Sequence, residues 1–391
     1  MKCTDSFYET YNYAPQGISF CPYRVCPIGA HSDHQHGRVT GFAINKGIHI
    51  AYSEKKNGVI EMTSLNFPKR AQFHIEKTPT IKQNDWADYL RGATIALNRQ
   101  FPLSVGLCGV IEGGLPIGGL SSSAALIIAF LSALCRVNGI ILTAQEVVEV
   151  ALEAENKYVG VSCGKLDQSC MVYAKSEHLL YLDISNNSYE LIPQQKDMKP
   201  YEIVIFFSGI ERTLVGSKYN MRVDECKSAA YALMAFEGME YGKFENTYLR
   251  DVPVEIFDRH KNKLPASWSK RAQHWYTEFS RVGKGADAWR KGDIESFGKL
   301  IFASGQSSIN DYETGSPELI KLYSIMKETD GIYGGRFSGA GFRGCCMALI
   351  DPSYKEHIQQ MVTAKYTKAF PALSDKFLIY FCHSGNGVNL L

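Results

Sequence analysis

A glycine-rich turn followed by three serines is the first feature of the sequence that could do chemistry. The turn covers residues 113–120, and Ser121–Ser123 lead from it into an apolar run at 124–135. A strand predicted at 105–111 and a helix over the apolar run would place the serines at a helix N-terminus. Unpaired N–H groups and a partial positive charge make such an end a phosphate site, and glycines allow close backbone approach. No Walker sequence occurs, and a simple serine N-cap is the alternative interpretation.

A second helix could bring a carboxylate to this turn. Thr143 and Glu146 form a capping box, which predicts a helix that runs through Tyr158. Glu155 shares one face of this helix with apolar residues that lie three, four and seven positions earlier. An inward carboxylate needs a partner, and Mg²⁺ held together with a serine hydroxyl and nucleotide phosphates would provide one. The alternative is that Glu155 reaches water at a fraying helix end.

Two other motifs invite different interpretations. Residues 339–344 match G-x-G-x-x-G, but a dinucleotide site needs a helix directly afterwards, and residues 345–350 predict a strand instead. Residues 31–36 read His-Ser-Asp-His-Gln-His and could suggest zinc, although Gly29 stands where the first histidine of a metallo-hydrolase box belongs. A solvated polar loop is the alternative for this segment, but it leaves Arg24 just upstream unexplained.

The composition restricts the class of protein. The chain has 391 residues, of which 45% are hydrophobic and 21% charged, so it can bury hydrophobic cores without needing disulfides or a structural metal. A net charge of +2 without long runs of one sign favours neither nucleic acid nor an acidic membrane as a partner. Eleven cysteines without a Cys-x-x-Cys pair favour reduced thiols. We therefore expect a cytoplasmic protein, since the N-terminus lacks an apolar signal core and no apolar run could span a membrane.

The order of the predicted elements indicates an α+β fold in two lobes. Alternating patterns at 39–52 and 60–65 predict antiparallel strands, and residues 86–97 and the apolar run predict helices. Residues 181–193 predict a strand and a loop. A polar stretch at 194–200 suggests a boundary between lobes at 1–195 and 196–391. Beyond it the sequence predicts amphipathic helices at 219–236, 270–291 and 317–327.

Three segments, taken together, resemble the motifs of the GHMP kinases in their galactokinase form. They occur in the family's order and read Arg24-Val-Cys-Pro-Ile-Gly-Ala-His-Ser-Asp33, Gly119-Leu-Ser-Ser-Ser-Ala-Ala125 and Phe337-Ser-Gly-Ala-Gly-Phe-Arg-Gly-Cys345. Connecting segments are similar too, among them 154–156, 164–168 and 271–281, so the resemblance covers nearly the whole chain. It implies an N-terminal lobe like ribosomal protein S5 domain 2 and a ferredoxin-like C-terminal lobe, whose last strand could return to the first lobe.

The resemblance also implies the site residues and cofactors. Asp167 matches the catalytic carboxylate, and Arg24 matches the cation that keeps it ionised and meets the phosphoryl group. Ser123 and Glu155 match Mg²⁺ ligands, with ATP as the phosphoryl donor. The remaining positions match nucleotide contacts at Gly118, Gly119, Leu120, Ser121, Ser122, Ser123, Ala124 and the adenine-stacking Trp86, and sugar contacts at His31, Asp33, Gly164 and Tyr219. The expected assembly is a monomer or weak dimer.

Two departures from the galactokinase pattern bear on the substrate. Ala30 stands where galactokinases have a glutamate that bonds the six-hydroxyl of the sugar, and Arg343 replaces a glycine of the third motif. Alanine removes the repulsion that a uronic acid would meet, and arginine adds a bidentate partner for a carboxylate. Both changes resemble plant galacturonokinases, which implies phosphorylation of D-galacturonate at its anomeric hydroxyl. Lys165 is a second candidate for the sugar carboxylate.

Three other functions remain open at this point. A galactokinase would keep the mechanism and take D-galactose. A non-catalytic galactokinase-like sugar sensor would bind ATP and a protein partner, but the retained Arg24 and Asp167 argue against it. A metallo-hydrolase that uses the histidine segment is the most distant alternative.

Overall fold

Two β-sheets organise the chain in a computed structural model that describes residues 1–115, 118–210 and 216–389, except for the side chains of 216–218. The first sheet has eight strands in the order β4-β3-β5-β2-β6-β7, with β1 and β12 also paired to β2. The strands of this sheet are β1 (Gly17–Val25), β2 (Arg38–Lys55), β3 (Val59–Ser64), β4 (Ala71–His74), β5 (Gly106–Gly113), β6 (His178–Asp183), β7 (Ser188–Pro193) and β12 (Ser384–Gly385). All of its pairings are antiparallel except β3 with β5.

The second sheet is antiparallel and has four strands in the order β11-β8-β10-β9. These strands are β8 (Glu202–Phe207), β9 (Ile332–Phe337), β10 (Cys345–Ile350) and β11 (Leu378–Cys382). The strands on either side of the boundary predicted at residue 195 therefore belong to different sheets, while β12 returns to the first sheet. The division into lobes at 1–195 and 196–391 stays a proposal.

Eleven α-helices surround the sheets in the described part of the chain. They are α1 (Lys2–Tyr11), α2 (Asp88–Gln100), α3 (Ser122–Val137), α4 (Ala144–Glu153), α5 (Leu166–Tyr173), α6 (Gly216–Glu237), α7 (Val254–His260), α8 (Ala266–Arg290), α9 (Ile294–Asn310), α10 (Pro317–Lys327) and α11 (Lys355–Ala369). Helix α4 continues as a π-helical turn over Ala154–Val159. Among the described residues, no helix has the length and hydrophobicity needed to cross a bilayer.

One apolar core connects the two sheets. It contains most of α3, which is buried on nearly every face, and extends through Trp289 and Phe297 to Met347 on β10. Since close-packed interiors resist deformation, this shared core fixes the position of one sheet relative to the other. The elements that carry the three motifs are thereby held together.

The structure confirms several local predictions and corrects others. The capping box of Thr143 and Glu146 and the strand at 345–350 are confirmed. Residues 181–193, predicted as a strand and a loop, end in a second strand, β7. The sequence patterns did not predict the helices α1, α5, α7, α9 and α11. The solvated-loop interpretation of residues 31–36 is wrong for 31–35, which are buried. Distant side chains bond two of their polar groups: Tyr312 bonds His34, and Trp275 bonds the carbonyl oxygen of Ser32.

Candidate active site

An open cleft brings together side chains from all three motifs. One wall comes from the end of β1 and the segment after it, and another from the start of α3 and α5. The third motif, the π-helical turn and the start of α6 complete the lining. The residues that line the cleft are Arg24, Cys26, Ala30, His31, Asp33, Tyr89, Gly119, Ser121, Ser123, Glu155, Val161, Cys163, Leu166, Asp167, Tyr219, Gly339, Ala340, Phe342 and Arg343.

Asp167 and Arg24 form an ion pair at the centre of the cleft. Asp167 lies in the first turn of α5, where the helix end favours a negative charge. Nε of Arg24 donates to its Oδ1 at 2.7 Å, and the hydroxyl of Ser121 donates to its Oδ2. Arg24 is only 3% exposed; burial disfavours its charge, but the neighbouring Asp167 carboxylate outweighs this and raises the pKa of Arg24. The carboxylate is thus oriented by two partners and still reaches the cleft.

The glycine-rich turn owes its shape to contacts with the third motif. Gly118 and Gly119 have φ values of +136° and +83°, and a Cβ on Gly119 would lie 2.8 Å from the carbonyl oxygen of Ser338. Ser121 has a left-handed backbone, and its side chain does not cap α3 because the hydroxyl bonds Asp167 instead. The N-terminal end of α3 therefore faces the cleft with the geometry that a phosphate site needs. Pro116 and Ile117 lie outside the described residues.

Glu155 and Ser123 both line the cleft and could hold a divalent cation. Glu155 is 4% exposed, lies in the π-helical turn, and accepts a hydrogen bond from the side-chain amide of Gln168. Such turns are frequent at functional sites because they reorient one side chain. One carboxylate and one hydroxyl fit Mg²⁺, which keeps several waters and takes phosphate oxygens as further ligands. Among the described residues, no group of three or more His, Cys, Asp or Glu side chains could hold a metal ion.

The predicted sugar contacts lie in two places. Arg343 lines the cleft beside Gly344, which packs against the glycine-rich turn. Ala30, His31, Asp33 and Tyr219 also line the cleft, with the rings of His31 and Tyr219 6.3 Å apart, and form what we call its sugar end. Gly164 lies beside them, and a Cβ at this position would come within 2.5 Å of Oδ2 of Asp33. The backbone N–H of Leu166 donates to the same Asp33 oxygen at 3.2 Å.

Asp33 has an unusual protonation equilibrium. Burial and, secondarily, the Asp167 charge raise its pKa from 3.8 to about 6. If its carboxylate accepts hydroxyl groups of a sugar, we expect the KM for the sugar to rise as the pH falls through about 6, because protonation removes an acceptor. Kinetics between about pH 5 and about pH 8 would measure this. Asp33→Asn should lack the inflection, and an unchanged inflection in this variant would contradict the assignment.

Not every predicted position reaches the cleft. Trp86 is not among the residues that line it, and its indole N–H lies 3.3 Å from the carbonyl oxygens of Pro68 and Lys69. Tyr89, three positions further on, does line the cleft. Lys165 bonds Oδ1 of Asn187 at 3.1 Å and is not a lining residue. The nucleotide-binding role assigned to Trp86 therefore has no support from its position, whereas Tyr89 of the same predicted helix does line the cleft.

The sequence interpretation missed Tyr89 and Cys163. Tyr89 follows Trp86 by one helical turn, so the helical pattern of residues 86–97 contained it without singling it out. The signal for Cys163 is weaker, since only its position beside Gly164 points to the cleft; its thiol lies 3.2 Å from Oδ1 of Asn156.

Comparison with known proteins agrees with this geometry. Residues 86–175 match the model for the GHMP kinase N-terminal domain, residues 286–368 match the GHMP kinase C-terminal domain, and residues 5–54 match the galactokinase galactose-binding signature. The mevalonate kinase of Methanococcus jannaschii has the same fold, with a TM-score of 0.67 at 17% identity over 95% of this chain and all of that one. The fold and the site thus define a GHMP kinase.

Individual relatives narrow the class. A galacturonokinase of Arabidopsis thaliana is 36% identical to this chain, and the match covers 96% of this chain and 93% of the relative. A galactokinase of a Roseiflexus species is 31% identical, and the match covers 98% of this chain and 95% of the relative. The crystal structure of Lactococcus lactis galactokinase complexed with galactose superposes with a TM-score of 0.89 at 27% identity, over 99% of this chain and 98% of that one. The chain therefore belongs to the galactokinase family of GHMP kinases and is a sugar 1-kinase.

Proposed function

We propose that this enzyme transfers the terminal phosphoryl group of ATP, with Mg²⁺, to the anomeric hydroxyl of D-galacturonate. The observation that carries the proposal is Ala30, which lines the sugar end of the cleft where galactokinases have a glutamate. The side chain is 6% exposed, so a carboxylate there would be poorly screened. The similarity to a galacturonokinase, at 36% identity, supports the same substrate.

Arg343 is the cation that we assign to the sugar carboxylate. It lies on the rim of the cleft within the third motif, and its guanidinium group can bind a carboxylate with two parallel hydrogen bonds. Lys165, the other basic candidate, has its ammonium group on Asn187. Lysine would also supply only a point charge, without the planar fork that selects a carboxylate.

The reaction needs positioning and charge stabilisation more than covalent chemistry. Asp167 accepts the proton of the anomeric hydroxyl as the hydroxyl oxygen attacks the terminal phosphorus of ATP, and the bond between that phosphorus and the bridging oxygen breaks to release ADP. Arg24 orients Asp167 and faces the phosphoryl group, while the start of α3 and the glycines at 118 and 119 hold the phosphates. Mg²⁺ between Ser123 and Glu155 would neutralise charge on the nucleotide when bound.

A galactokinase acting on D-galactose is the second candidate. The match of residues 5–54 to the galactose-binding signature favours it. The position of Ala30 separates the two candidates, since the preference for one sugar should follow the charge at this position. The Arg24–Asp167 pair, which a non-catalytic sugar sensor would not need, argues against that third function.

Replacing Ala30 by glutamate tests the substrate directly. Two carboxylates about 5 Å apart at an effective dielectric constant of about 20 repel by about 3 kcal/mol, so kcat/KM for galacturonate should fall roughly 100-fold. The kcat/KM for galactose should change much less or rise.

Ala30→Gln is the matched control, because it adds the same volume without the charge. We expect it to reduce kcat/KM for galacturonate less than Ala30→Glu does. Equal losses for the two variants would show that volume rather than charge decides, and a larger loss for galactose than for galacturonate would contradict the charge argument.

A further inference from the structure

The backbone of His31 has a conformation that most residues avoid. Its φ is +65°, in the left-handed region, and its ring is buried against the sugar end of the cleft. Within the described part of the chain, its Nε2 has no hydrogen-bond partner. Strained backbone with an unsatisfied polar atom persists where the surroundings fix it, and such sites are often functional. The question is which group holds His31 in place.

Tyr312, from the segment between α9 and α10, contacts this ring face to face. The two ring centroids are 4.3 Å apart and the planes differ by 10°. The hydroxyl of Tyr312 also lies 3.0 Å from Nε2 of His34, with which it shares a hydrogen bond. Tyr312 is fully buried and is not a lining residue of the cleft, so it acts on the sugar end through the rings that it contacts, which also include His274 at 5.0 Å.

Tyr312 is itself rigidly supported. Its backbone N–H donates to the carbonyl oxygen of Ser307 at 3.0 Å. The fully buried Arg271 donates to the carbonyl oxygen of Asp311 and pairs with Glu313 at 2.7 Å, so the residues on both sides of Tyr312 are anchored. The guanidinium group of Arg271 also lies 6.0 Å from the Tyr312 ring, within the range of a cation–π contact.

We propose that Tyr312 is a positioning residue for the sugar, which holds the imidazole of His31 so that Nε2 is presented to a sugar oxygen in the cleft. This rests on the proposed assignment of that end of the cleft to the sugar. Loss of the ring would free His31 to leave its strained conformation, and the sugar would then have to order it again on binding. Nucleotide binding, at the other end of the cleft, would not change.

Two substitutions separate the ring from the hydroxyl. Tyr312→Leu removes the stacked ring, and because an aromatic pair and its ordering effect are worth up to about one power of ten in binding, KM for the sugar should rise roughly tenfold. Tyr312→Phe keeps the ring and removes the bond to His34, so its KM for the sugar should rise less than about threefold. The KM for ATP should stay within about twofold in both variants.

Tyr366 provides a matched control for the stability that is lost when a buried tyrosine is replaced by leucine. It is also fully buried, its ring packs on Phe370 and Phe377, and its hydroxyl donates to the carbonyl oxygen of Ser208 at 2.7 Å; none of these three partners lines the cleft. Tyr366→Leu should lower the melting temperature as Tyr312→Leu does, but leave KM for the sugar unchanged. A comparable rise of this KM in both leucine variants would overturn the proposal, as would a Tyr312→Leu enzyme with an unaltered KM or an equal rise for ATP.

A spectroscopic signature needs neither turnover nor the leucine variant. Stacking on Tyr312 should shift the ring protons of His31 upfield in the NMR spectrum of the wild-type enzyme and of Tyr312→Phe, with His31→Gln used for assignment. His31 signals without this shift would overturn the proposal. The preferred sugar of the wild-type enzyme decides the proposed function separately, because the effect of Tyr312 is measured with whichever sugar is phosphorylated.

Discussion

Asp167→Asn should lower kcat by about 10²–10⁴-fold while both substrates still bind. The amide can keep a contact with Arg24 and with Ser121, so the shape of the cleft should persist. It is no longer a base, however, so the hydroxyl proton must leave without a positioned acceptor. Rapid-quench kinetics would give kcat, and calorimetry would give the dissociation constants of ATP and of the sugar.

Asp183→Asn is the matched control for this variant. Asp183 is also a largely buried, ion-paired aspartate, with Arg38 at 2.8 Å and Arg250 at 3.0 Å, but it lies outside the cleft. We expect this substitution to affect stability and to leave kcat nearly unchanged. A kcat within tenfold of the wild type in Asp167→Asn would contradict the role of Asp167 as base.

Arg24→Met should lower kcat by about 10²–10³-fold, because it removes a charged donor that faces the developing negative charge. Part of the loss would arise because Asp167 loses the partner that orients it. The effects of Arg24→Met and Asp167→Asn should therefore be strongly non-additive, as is usual for groups that act as a unit. Single-turnover kinetics of the two variants and of the double variant would measure this.

Arg99→Met is the matched control for Arg24→Met, because it removes an ion-paired arginine at the surface. Arg99 also pairs with a carboxylate, that of Glu153, but its side chain is 61% exposed. Exposed pairs contribute little, so stability and kcat should both stay close to those of the wild type. If Arg24→Met and Asp167→Asn were simply additive, the two groups would act independently, contrary to the mechanism proposed above.

The phosphate turn could be predicted because its physics is local. A strand, a run of glycines, three serines and an apolar helix lie within about thirty consecutive residues, and the sequence alone defines the helix N-terminus. The capping box at Thr143 is local in the same way, since both partners lie within one helical turn. Where the residues that determine a structure lie close together in the sequence, the sequence pattern alone is sufficient to predict that structure.

The histidine segment shows why other parts could not be predicted. Several of its polar groups bond residues far away in the sequence, such as Trp275, whose indole N–H donates to the carbonyl oxygen of Ser32, 243 positions earlier. His34 likewise depends on Tyr312. No local pattern reveals such partners, so a buried loop and a solvated one look alike in the sequence.

Helix α9 could not be predicted from the sequence for a different reason. It contains Gly298 and Gly305, which weaken the helical pattern because glycine has a low helix propensity. Both glycines are needed for packing, since a Cβ on Gly298 would lie 2.1 Å from the carbonyl oxygen of Tyr333 and one on Gly305 would lie 2.6 Å from the ring of Tyr323. Tertiary packing therefore overrides local propensity here.

The choice of Trp86 over Tyr89 reflects the limit of helical patterns. Both lie on the apolar side of one short segment, and spacing alone does not say which of them reaches a cleft. The structure places Trp86 outside the start of α2 and Tyr89 within its first turn. The difference depends on where the helix begins, which is the least certain part of any sequence-based prediction.

The wild-type enzyme, incubated with ATP and Mg²⁺ and offered D-galacturonate and D-galactose in parallel, tests the central claim most directly. The account predicts a higher kcat/KM for galacturonate and a phosphomonoester on the anomeric carbon, which ³¹P NMR would detect. A higher kcat/KM for galactose would contradict the proposed substrate, and sugar binding without ATP turnover would contradict the catalytic role of the Arg24–Asp167 pair.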